Sequence, residues 1–377
     1  MSFTEKKREE IKKYILRKIA RRDGAVLEKT MDSFGISITT VKRYLKEALD
    51  SGMIECVAGE ECPYRLIQRE YRATVSLEEG ELEEDVLFQQ YIAPYLTGCN
   101  EKARVIWQYC GAEILNNAIE HSRGTRIGIV VQCNALNTTV VISDDGAGVF
   151  STLMEYMAGN GWENPRVEDA LVELYKGKIT CDSRNHSGEG IFFSSKMMDS
   201  FVLWSDSLIL KWGCQDEPEV LRSHLAAYAA RIWKERTMVM MTLENETGRE
   251  AGKVFDTYAD VDEGFMRTQI PVKEACITGE PVARSQARRI CHRLEEFREV
   301  ILDFSDVSMM GQGFADEIFR VYATEHPQVL LRPVNMLPQV LLRPVNMLPQ
   351  VERMIRHVGR GGICGEYCFS CNLSEDL

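Results

Sequence analysis

Hydrophobic residues recur at helical spacing in the first fifty residues and predict three helices. EEIKKYILRKIARR is the first, and VLEKTMDSFG is a shorter second helix that ends at Gly35. Ser37 caps the third, ITTVKRYLKEALDSG. The predicted inward positions are Ile11, Tyr14, Ile15 and Ile19 in the first helix and Val41, Tyr44, Leu45 and Leu49 in the third. MIECVAGEECPYRLI then predicts a strand, a turn and a strand.

The middle of the chain alternates between helical and strand patterns. Two helical patterns run from Val86 to the segment EKARVIWQYCGAEILNNAIEHS. RIGIVVQC and TTVVIS, joined by NALN, predict a β-hairpin, and SFVLWSDSLILKWG and RTMVMMTLENE predict further strands. We therefore predict one sheet with helices on one side over residues 86–250. The acidic run SLEEGELEED indicates a linker or the exposed start of a helix, and we place a linker at residues 69–85.

The last part of the chain shows a helix, strand and helix pattern. SQARRICHRLEEF predicts a helix, EVILDF a buried strand and GQGFADEIFRVYATEH a second helix, within a domain over residues 251–360. VLLRPVNMLPQ occurs twice, at 329–339 and 340–350. A solenoid needs at least three repeats, so we interpret one copy as a tandem duplication that forms a loop. Residues 361–377 hold Cys364, Cys368 and Cys371, whose spacing can bind a metal, but a thiol-bearing tail is favoured.

Composition narrows the class of protein. A chain of 377 residues predicts two or three domains, and 45% apolar residues can fill ordinary cores. No apolar run approaches the roughly 18 residues typical of a membrane span. The N-terminus, MSFTEKKREE, does not resemble a signal peptide, and the twelve cysteines have no framework spacing. We therefore expect a cytoplasmic protein with reduced thiols and no membrane partner.

Charge is unevenly distributed. Residues 1–50 hold 13 Lys or Arg and 8 Asp or Glu, a balance of +5, so the chain total of −12 leaves −17 on the remainder. This asymmetry predicts an anionic partner for the N-terminal part only. The order of its elements resembles a winged helix-turn-helix over residues 1–68. The resemblance implies DNA binding through the third helix, while a protein-interaction module is the alternative. The outward residues are Thr39, Thr40, Lys42, Arg43 and Lys46.

Three short motifs between residues 112 and 192 carry the candidate chemistry. AEILNNAIEHS places Glu113 and Asn117 four residues apart, so both project from one helical face. ISDDGAGVF places Asp144 after a strand and before two glycines. HSGEGIF precedes a predicted helix, and backbone N–H groups at such a start can bind phosphate. Together the three motifs predict a nucleotide pocket. The carboxylate would contact the edge of a base, the amide would bind a metal, and the glycines would bind phosphate.

The three motifs, in this order, resemble the N, G1 and G2 boxes of the GHKL ATPase superfamily, closest to the anti-sigma-factor serine kinases. The resemblance implies ATP and Mg²⁺ as ligands. It implies Glu113 as general base, Asn117 as magnesium ligand and Asp144 as acceptor for the adenine amino group. The implied glycine and serine contacts are Gly146 and Gly148 on the adenine side and Ser187, Gly188 and Gly190 on the phosphate side. The implied ATP lid is the interval 149–187, a mobile element whose cationic candidates are Lys176, Lys178, Arg184 and His186.

The C-terminal phrase GQGFADEIFRVY resembles a STAS-like family that occurs behind GHKL domains. STAS antagonists of anti-sigma factors carry a phosphoacceptor serine in the loop that starts this helix. Residues 310–314 here contain no hydroxyl, although Ser305 and Ser308 lie upstream. Self-phosphorylation at that loop is therefore not expected.

The fold class expected from these observations is a multidomain α+β protein: a winged helix, a GHKL α/β sandwich and a STAS-like α/β domain. We hypothesise an ATP-binding transcription regulator with slow or absent ATPase activity, in which the nucleotide site controls DNA binding and a STAS-like partner domain. The alternative is a protein serine/threonine kinase that acts on a separate STAS or sigma partner. A histidine kinase is disfavoured because no helix with an H-box precedes the motifs. Homodimer formation stays open.

Overall fold

The computed structural model describes most of the chain. The described stretches are residues 3–78, 82–178, 189–206, 208–213, 219–222, 236–260, 262–276 and 279–336. The chain forms two compact units, and each unit is built from two segments of the sequence. The first unit is Met1–Thr152 with Phe193–Val254, and the second is Leu153–Phe192 with Phe255–Leu377. The protein is thus a mixed α/β, multidomain chain.

The first unit begins with the three helices and the hairpin that hydrophobic spacing predicts. They are α1 (Glu5–Ala20), α2 (Val26–Phe34), α3 (Ile38–Asp50), β1 (Ile54–Cys56) and β2 (Tyr64–Leu66). Ser37 caps α3 as predicted, because its hydroxyl accepts a hydrogen bond from the Thr40 amide at 3.3 Å. Gly35 ends α2 at a φ of +61°, a left-handed conformation that favours glycine.

An antiparallel sheet of seven strands forms the body of the first unit. The strands are β3 (Arg69–Ser76), β4 (Arg126–Cys133), β5 (Asn137–Asp144), β6 (Ser200–Ser205), β7 (Leu208–Gly213), β8 (Glu219–Arg222) and β9 (Thr237–Glu244). Their spatial order is β3-β4-β5-β9-β6-β7-β8. Buried and half-buried residues alternate along β4, β5, β6, β7 and β9, as expected for strands with one face against a core.

The linker predicted at residues 69–85 is wrong over its first part. Residues 69–76 form β3, which pairs antiparallel with β4 from Arg69 opposite Cys133 to Ser76 opposite Arg126. The strand was not recognised because it lies at the edge of the sheet and its first four residues are exposed. An edge strand with polar side chains lacks the hydrophobic alternation of a half-buried strand.

The N-terminal helices are attached to this sheet. Leu136, in the turn between β4 and β5, belongs to the same hydrophobic core as Ile11, Ile15 and Leu45. At the end of β9, the Glu244 carboxylate accepts hydrogen bonds from Lys13 at 2.9 Å and Arg17 at 2.6 Å. Hydrophobic packing and ion pairing therefore both join α1 to the sheet.

Six further helices lie between residues 84 and 258 of the described chain. They are α4 (Glu84–Tyr91), α5 (Glu101–Glu120), α6 (Val149–Gly159), α7 (Val167–Lys176), α8 (Gly190–Met197) and α9 (Ala251–Tyr258). In the first unit α4 packs on α5, and α5 packs on β5 and β9. Gly111 of α5 permits close approach of α4, because a Cβ there would lie 2.7 Å from the Phe88 ring.

The C-terminal part of the second unit contains a parallel sheet with β13 in its centre. Its elements are β10 (Ala259–Asp260), β11 (Gly264–Phe265), β12 (Arg267–Pro271), α10 (Val272–Ala275), α11 (Arg284–Cys291), β13 (Glu299–Asp303), α12 (Gln312–Asp316) and β14 (Leu330–Val334). α12 continues through a π-helical segment, Glu317–Tyr322. The helix, strand and helix predicted here are all present. β14 uses the first copy of the repeated undecapeptide, and the second copy lies outside the described residues.

Over the stretches that the structure describes, no helix is long and apolar enough to cross a membrane.

Candidate functional site

The first motif lies on α5, which begins at an Asn100 cap. The Asn100 side-chain oxygen accepts from the Ala103 amide at 2.8 Å and so satisfies one of the free donors at the helix start. Near the other end, Glu113 and Asn117 are half-buried, whereas Ile114 and Leu115 are almost fully buried. The two polar residues therefore share one partly accessible face of a helix that is otherwise anchored in the core.

The second motif places a carboxylate at the end of a central strand. Asp144 is the last residue of β5, and only 5% of its surface is exposed. Its Oδ1 atom accepts a hydrogen bond from the Gly146 amide at 3.0 Å, which turns the chain sharply after the strand. N–H donors stabilise a buried carboxylate, and the Gly146 amide is one of them.

Gly146 has no room for a side chain. A Cβ at this position would lie 2.0 Å from the Ser122 carbonyl oxygen, and that oxygen accepts a hydrogen bond from the Ala147 amide at 2.7 Å. The loop after β5 is thus fixed against the end of α5. Ser122 was not identified from the sequence, because its role rests on a backbone atom and leaves no pattern of residue types.

Asp145 holds the same loop from its other side. Its carboxylate accepts from the Thr125 amide at 2.8 Å, the Thr125 hydroxyl at 2.8 Å and the Arg126 amide at 3.1 Å. Burial alone would raise the pKa of Asp145, but these hydrogen bonds outweigh it and lower the pKa. The residue is therefore a structural anchor at neutral pH, and Asp144 beside it is the better candidate for a ligand contact.

Gly148 and the start of α6 contact the turn after β6. Gly148 has a φ of +89°, and a Cβ there would lie 2.7 Å from the Asp206 carboxylate. The Val149 amide at the start of α6 donates to the Ser205 hydroxyl at 2.8 Å. Arg236 bridges the two regions, since its side chain contacts Asp206 at 3.2 Å and its amide donates to the Asp144 carbonyl at 2.8 Å. Sequence reasoning missed Ser205, Asp206 and Arg236, which belong to no recognised motif.

The third motif is described only at its end. Ser187 and Gly188 lie outside the described residues, as do the candidate cations Arg184 and His186. Gly190 is buried and begins α8. The helix predicted to follow this motif is therefore present, while the phosphate contacts assigned to the motif stay predictions.

Over its described part, residues 149–178, the interval that the resemblance implies to be a lid contains the helices α6 and α7. The resemblance implies a mobile lid here, but α7 is buried and packs on β12 in the second unit. Lys176 is 1% exposed, and its ammonium lies 2.6 Å from the Glu173 carboxylate. Lys178 donates to the Glu296 carbonyl at 2.7 Å, and burial lowers its pKa. Both lysines proposed for the γ-phosphate are thus engaged within the second unit.

The loop before α12 corresponds to the stretch without a hydroxyl, residues 310–314. Gly311 is tightly placed, because a Cβ there would lie 2.4 Å from the Val282 carbonyl oxygen. The two upstream serines are hydrogen-bonded: Ser305 donates to Asp303 at 2.8 Å and Ser308 to Glu280 at 3.1 Å. Neither serine belongs to the helix start where the resemblance implies a phosphoacceptor.

The residues predicted to contact DNA lie on α3. Thr39, Lys42, Arg43 and Lys46 are exposed, and Thr40 is half-buried. The Arg43 guanidinium lies over the Tyr44 ring at 5.0 Å from its centroid and 3.7 Å from Glu47. The exposed face of α3 is therefore basic and accessible within the first unit.

The C-terminal part also matches a known family. A family model described as a STAS-like domain of unknown function (DUF4325) matches residues 286–341, which include β13, α12 and β14. The C-terminal part of the chain is a STAS-like domain. No curated protein matches the sequence. The STAS-like assignment thus agrees with the resemblance carried by GQGFADEIFRVY.

Several residues of the first unit bear on the binding of ATP and Mg²⁺. Asp144 offers a buried carboxylate, and Gly146 lets the loop after β5 lie directly against Ser122. Asn117 offers an amide oxygen on the accessible face of α5. Among the described residues, no group of three or more His, Cys, Asp and Glu side chains could hold a metal ion. A magnesium ion here would take one oxygen from Asn117, with water and phosphate oxygens as its other ligands, and Mg²⁺ at phosphate sites usually keeps several waters.

Proposed function

We propose that the protein is an ATP-binding signalling regulator, in which the nucleotide site controls a DNA-binding N-terminal part and the STAS-like domain. The observation that carries the proposal is the placement of Asp144. It is a buried carboxylate at the end of a central strand, followed by a loop that tolerates no side chain at Gly146. This arrangement suits an adenine amino group that donates to the carboxylate while the ring lies beside the glycine loop.

The roles of α5 in this proposal follow from its accessible face. Asn117 would bind Mg²⁺ through its side-chain oxygen, and Glu113 would accept a proton from the water or hydroxyl that attacks the γ-phosphate. The ion, when bound, supplies positive charge that neutralises the phosphate oxygens. Glu113 and Asn117 lie one helical turn apart, so a single rigid helix positions both.

Two strands connect the proposed nucleotide site to the N-terminal helices. At one end of the β5–β9 pair Asp144 lies opposite Thr237, and at the other end Asn137 lies opposite Glu244. Eight residues of strand span roughly 24 Å. Since Glu244 binds Lys13 and Arg17 of α1, a change near Asp144 can reach α1 through hydrogen-bonded backbone. This path supports control of DNA binding by nucleotide.

A mobility-shift assay with genomic fragments, with and without ATP–Mg²⁺, tests the proposal. We expect DNA retention at low salt and a change in affinity when nucleotide is added. The variant Glu244→Gln tests the proposed path, because it weakens the link between β9 and α1 without changing α3 or Asp144. It should bind DNA but respond less to ATP. Absence of retention at low salt would exclude the DNA-binding role, and retention indifferent to ATP would exclude the switch.

A protein serine/threonine kinase is the second candidate function. Its support is the resemblance of the three motifs to the anti-sigma-factor serine kinases, whereas the loop at residues 310–314, which has no hydroxyl, favours the regulator. Incubation with γ-labelled ATP and a STAS protein that has an acceptor serine separates the two candidates. Label on the added protein supports a kinase. Release of free phosphate alone, or no turnover, favours the regulator.

A further inference from the structure

A cavity of about 600 Å³ lies within the second unit, outside the three motifs. Its walls are the last turn of α6 with the residues that follow it, and the turn after α11. Ligand pockets have volumes of roughly 300–1,000 Å³, so a small organic molecule fits here. The polar and aromatic side chains that line the cavity include those of Tyr156, Asn160, Trp162, Glu163, His292 and Arg293.

Both walls of the cavity have a specific backbone conformation. Gly161 has a φ of +91°, which lets the chain fold back after α6, and the Trp162 amide donates to the Met157 carbonyl at 3.1 Å. On the other wall Arg293 has a φ of +57°, a conformation that is uncommon for a residue with a side chain. Such residues are concentrated at functional sites, where surrounding contacts hold them in place. The two turns bring the Trp162 ring to 4.0 Å from the His292 ring, measured between centroids.

The charges around the cavity favour a positively charged ligand. The Arg293 guanidinium donates to both carboxylate oxygens of Glu296, at 2.7 and 3.1 Å, and lies 3.5 Å from Glu173. Glu173 also binds Lys176, so these two carboxylates balance the two cations. Glu163 is exposed, and no ion pair engages it among the residues that the structure describes. Its negative charge is therefore unbalanced, and the C-terminal end of α6 adds to the negative potential.

Aromatic side chains supply a surface for the apolar part of such a ligand. A cation over an aromatic ring is attracted by the electrons of the ring, and this attraction is strongest for tryptophan, here Trp162. The Asn160 side-chain N–H donates to the Tyr156 carbonyl at 2.8 Å, so the Asn160 side-chain oxygen stays an acceptor. Among the lining residues that the structure describes, Glu163 is the one carboxylate and His292 the one imidazole, which are too few ligands for a metal ion. The cavity therefore suits an organic cation.

We propose that this cavity binds an organic ammonium ion, with Glu163 pairing with its charge and the Trp162 ring packing against its alkyl groups. The ammonium group can belong to a free small molecule or to a lysine side chain of a partner protein, and the chemistry of recognition is the same. A bound cation would join the end of α6 to the turn after α11. The proposal does not depend on the nucleotide site.

Proton NMR of choline, followed through the broadening of its N-methyl signal when the full chain is added, tests the proposal. The matched probe is 3,3-dimethylbutan-1-ol, in which a carbon atom replaces the nitrogen and removes the charge. We expect choline to bind about fivefold more tightly than this neutral probe, or better. A short peptide with one trimethylated lysine distinguishes the two sources. Tighter binding of the peptide than of choline assigns the site to a partner protein, and equal or weaker binding assigns it to a free small molecule.

Two variants locate the site. Glu163→Gln and Trp162→Leu should each weaken binding of the ammonium probe by about fivefold. Glu325→Gln is the matched control, because it removes an exposed carboxylate of the same unit that does not line the cavity, and it should bind like the wild type. Glu163 is exposed, so its variant decides if Trp162→Leu does not fold.

Three results would overturn the proposal: no binding of either ammonium probe, equal binding of choline and its neutral analogue, or unchanged binding in both cavity variants. The experiment contains no nucleotide. Each of these results would therefore leave the proposed ATP site standing, and failure of ATP binding would leave the cation site standing.

Discussion

The Lys176 ammonium lies 2.6 Å from the Glu173 carboxylate, and these side chains are only 1% and 3% exposed. Burial alone would raise the pKa of Glu173, but Lys176, His292 and Arg293 outweigh it and hold the pKa below its ordinary value. A carboxyl group with a lowered pKa stabilises the folded state above its ordinary pKa, about 4.3, and loses that contribution as the pH falls through the folded value.

Lowering the pH should therefore loosen the packing of α7 within the second unit. We expect the protection factors of its amides, which correct for the intrinsic pH dependence of exchange, to be high at neutral pH and to drop as the pH falls below about 4. Glu173→Gln should already show fast exchange at neutral pH, because it leaves buried cations without their carboxylate and costs about 3–5 kcal/mol. Slow exchange in Glu173→Gln at neutral pH would show that the cluster does not hold the helix.

Gly146→Ala should destabilise the first unit. The added methyl group would meet the Ser122 carbonyl oxygen at 2.0 Å, so the loop after β5 must move away from α5. Overpacking of this kind costs about 1–3 kcal/mol, which chemical denaturation can measure. Gly248→Ala is the control, because no atom lies within 4 Å of the Cβ position there. Equal stability of the two variants would contradict the tight contact.

Glu113→Ala should abolish phosphoryl transfer and leave ATP binding nearly intact, since the carboxylate is proposed to act on the attacking group rather than on the nucleotide. Single-turnover assays with γ-labelled ATP and calorimetry measure the two quantities separately. Glu120→Ala removes an exposed carboxylate from the end of the same helix and should keep wild-type turnover. If the wild type turns over ATP and Glu113→Ala matches its rate, Glu113 is not the base.

Lys42→Ala and Lys46→Ala should each weaken DNA binding uniformly across sequences. A lysine that contacts a phosphate contributes about one unit to the slope of log affinity against log salt, so each variant should reduce that slope by about 1. Lys253→Ala removes an equally charged, exposed side chain and should leave the slope unchanged. A salt slope unaffected by either α3 variant would indicate that the exposed face of α3 does not bind DNA.

Local patterns predicted most elements but not the contacts between them. The Ser37 cap, the end of α2 at Gly35 and the hairpin at 126–143 depend on neighbouring residues, and the structure confirms them. β3 was missed because it is an exposed edge strand, defined by pairing with a distant segment. The contact of Gly146 with Ser122 joins residues 24 positions apart through a backbone oxygen, which no residue pattern encodes.

The packing of α7 on the STAS-like domain could not be predicted for a different reason. The resemblance implies a mobile lid over residues 149–187, and no helix is predicted within it. Only the structure shows that Asp169 and Glu173 face Arg289 and Arg293 of the STAS-like domain. Lys176, a candidate phosphate ligand in the sequence, is instead a buried partner of Glu173. A lysine in a sequence can be a phosphate ligand or a buried ion-pair partner, and only its three-dimensional surroundings show which it is.

Calorimetry of ATP–Mg²⁺ with the wild type and Asp144→Asn tests the central claim most directly. The substitution replaces one acceptor oxygen with an amide, so the buried position can no longer accept from the adenine amino group in the same way. We predict measurable ATP binding by the wild type and a loss of about 1–3 kcal/mol in Asp144→Asn, with folding confirmed by circular dichroism. Equal affinity of the two proteins, or no binding by the wild type, would contradict a nucleotide site at Asp144.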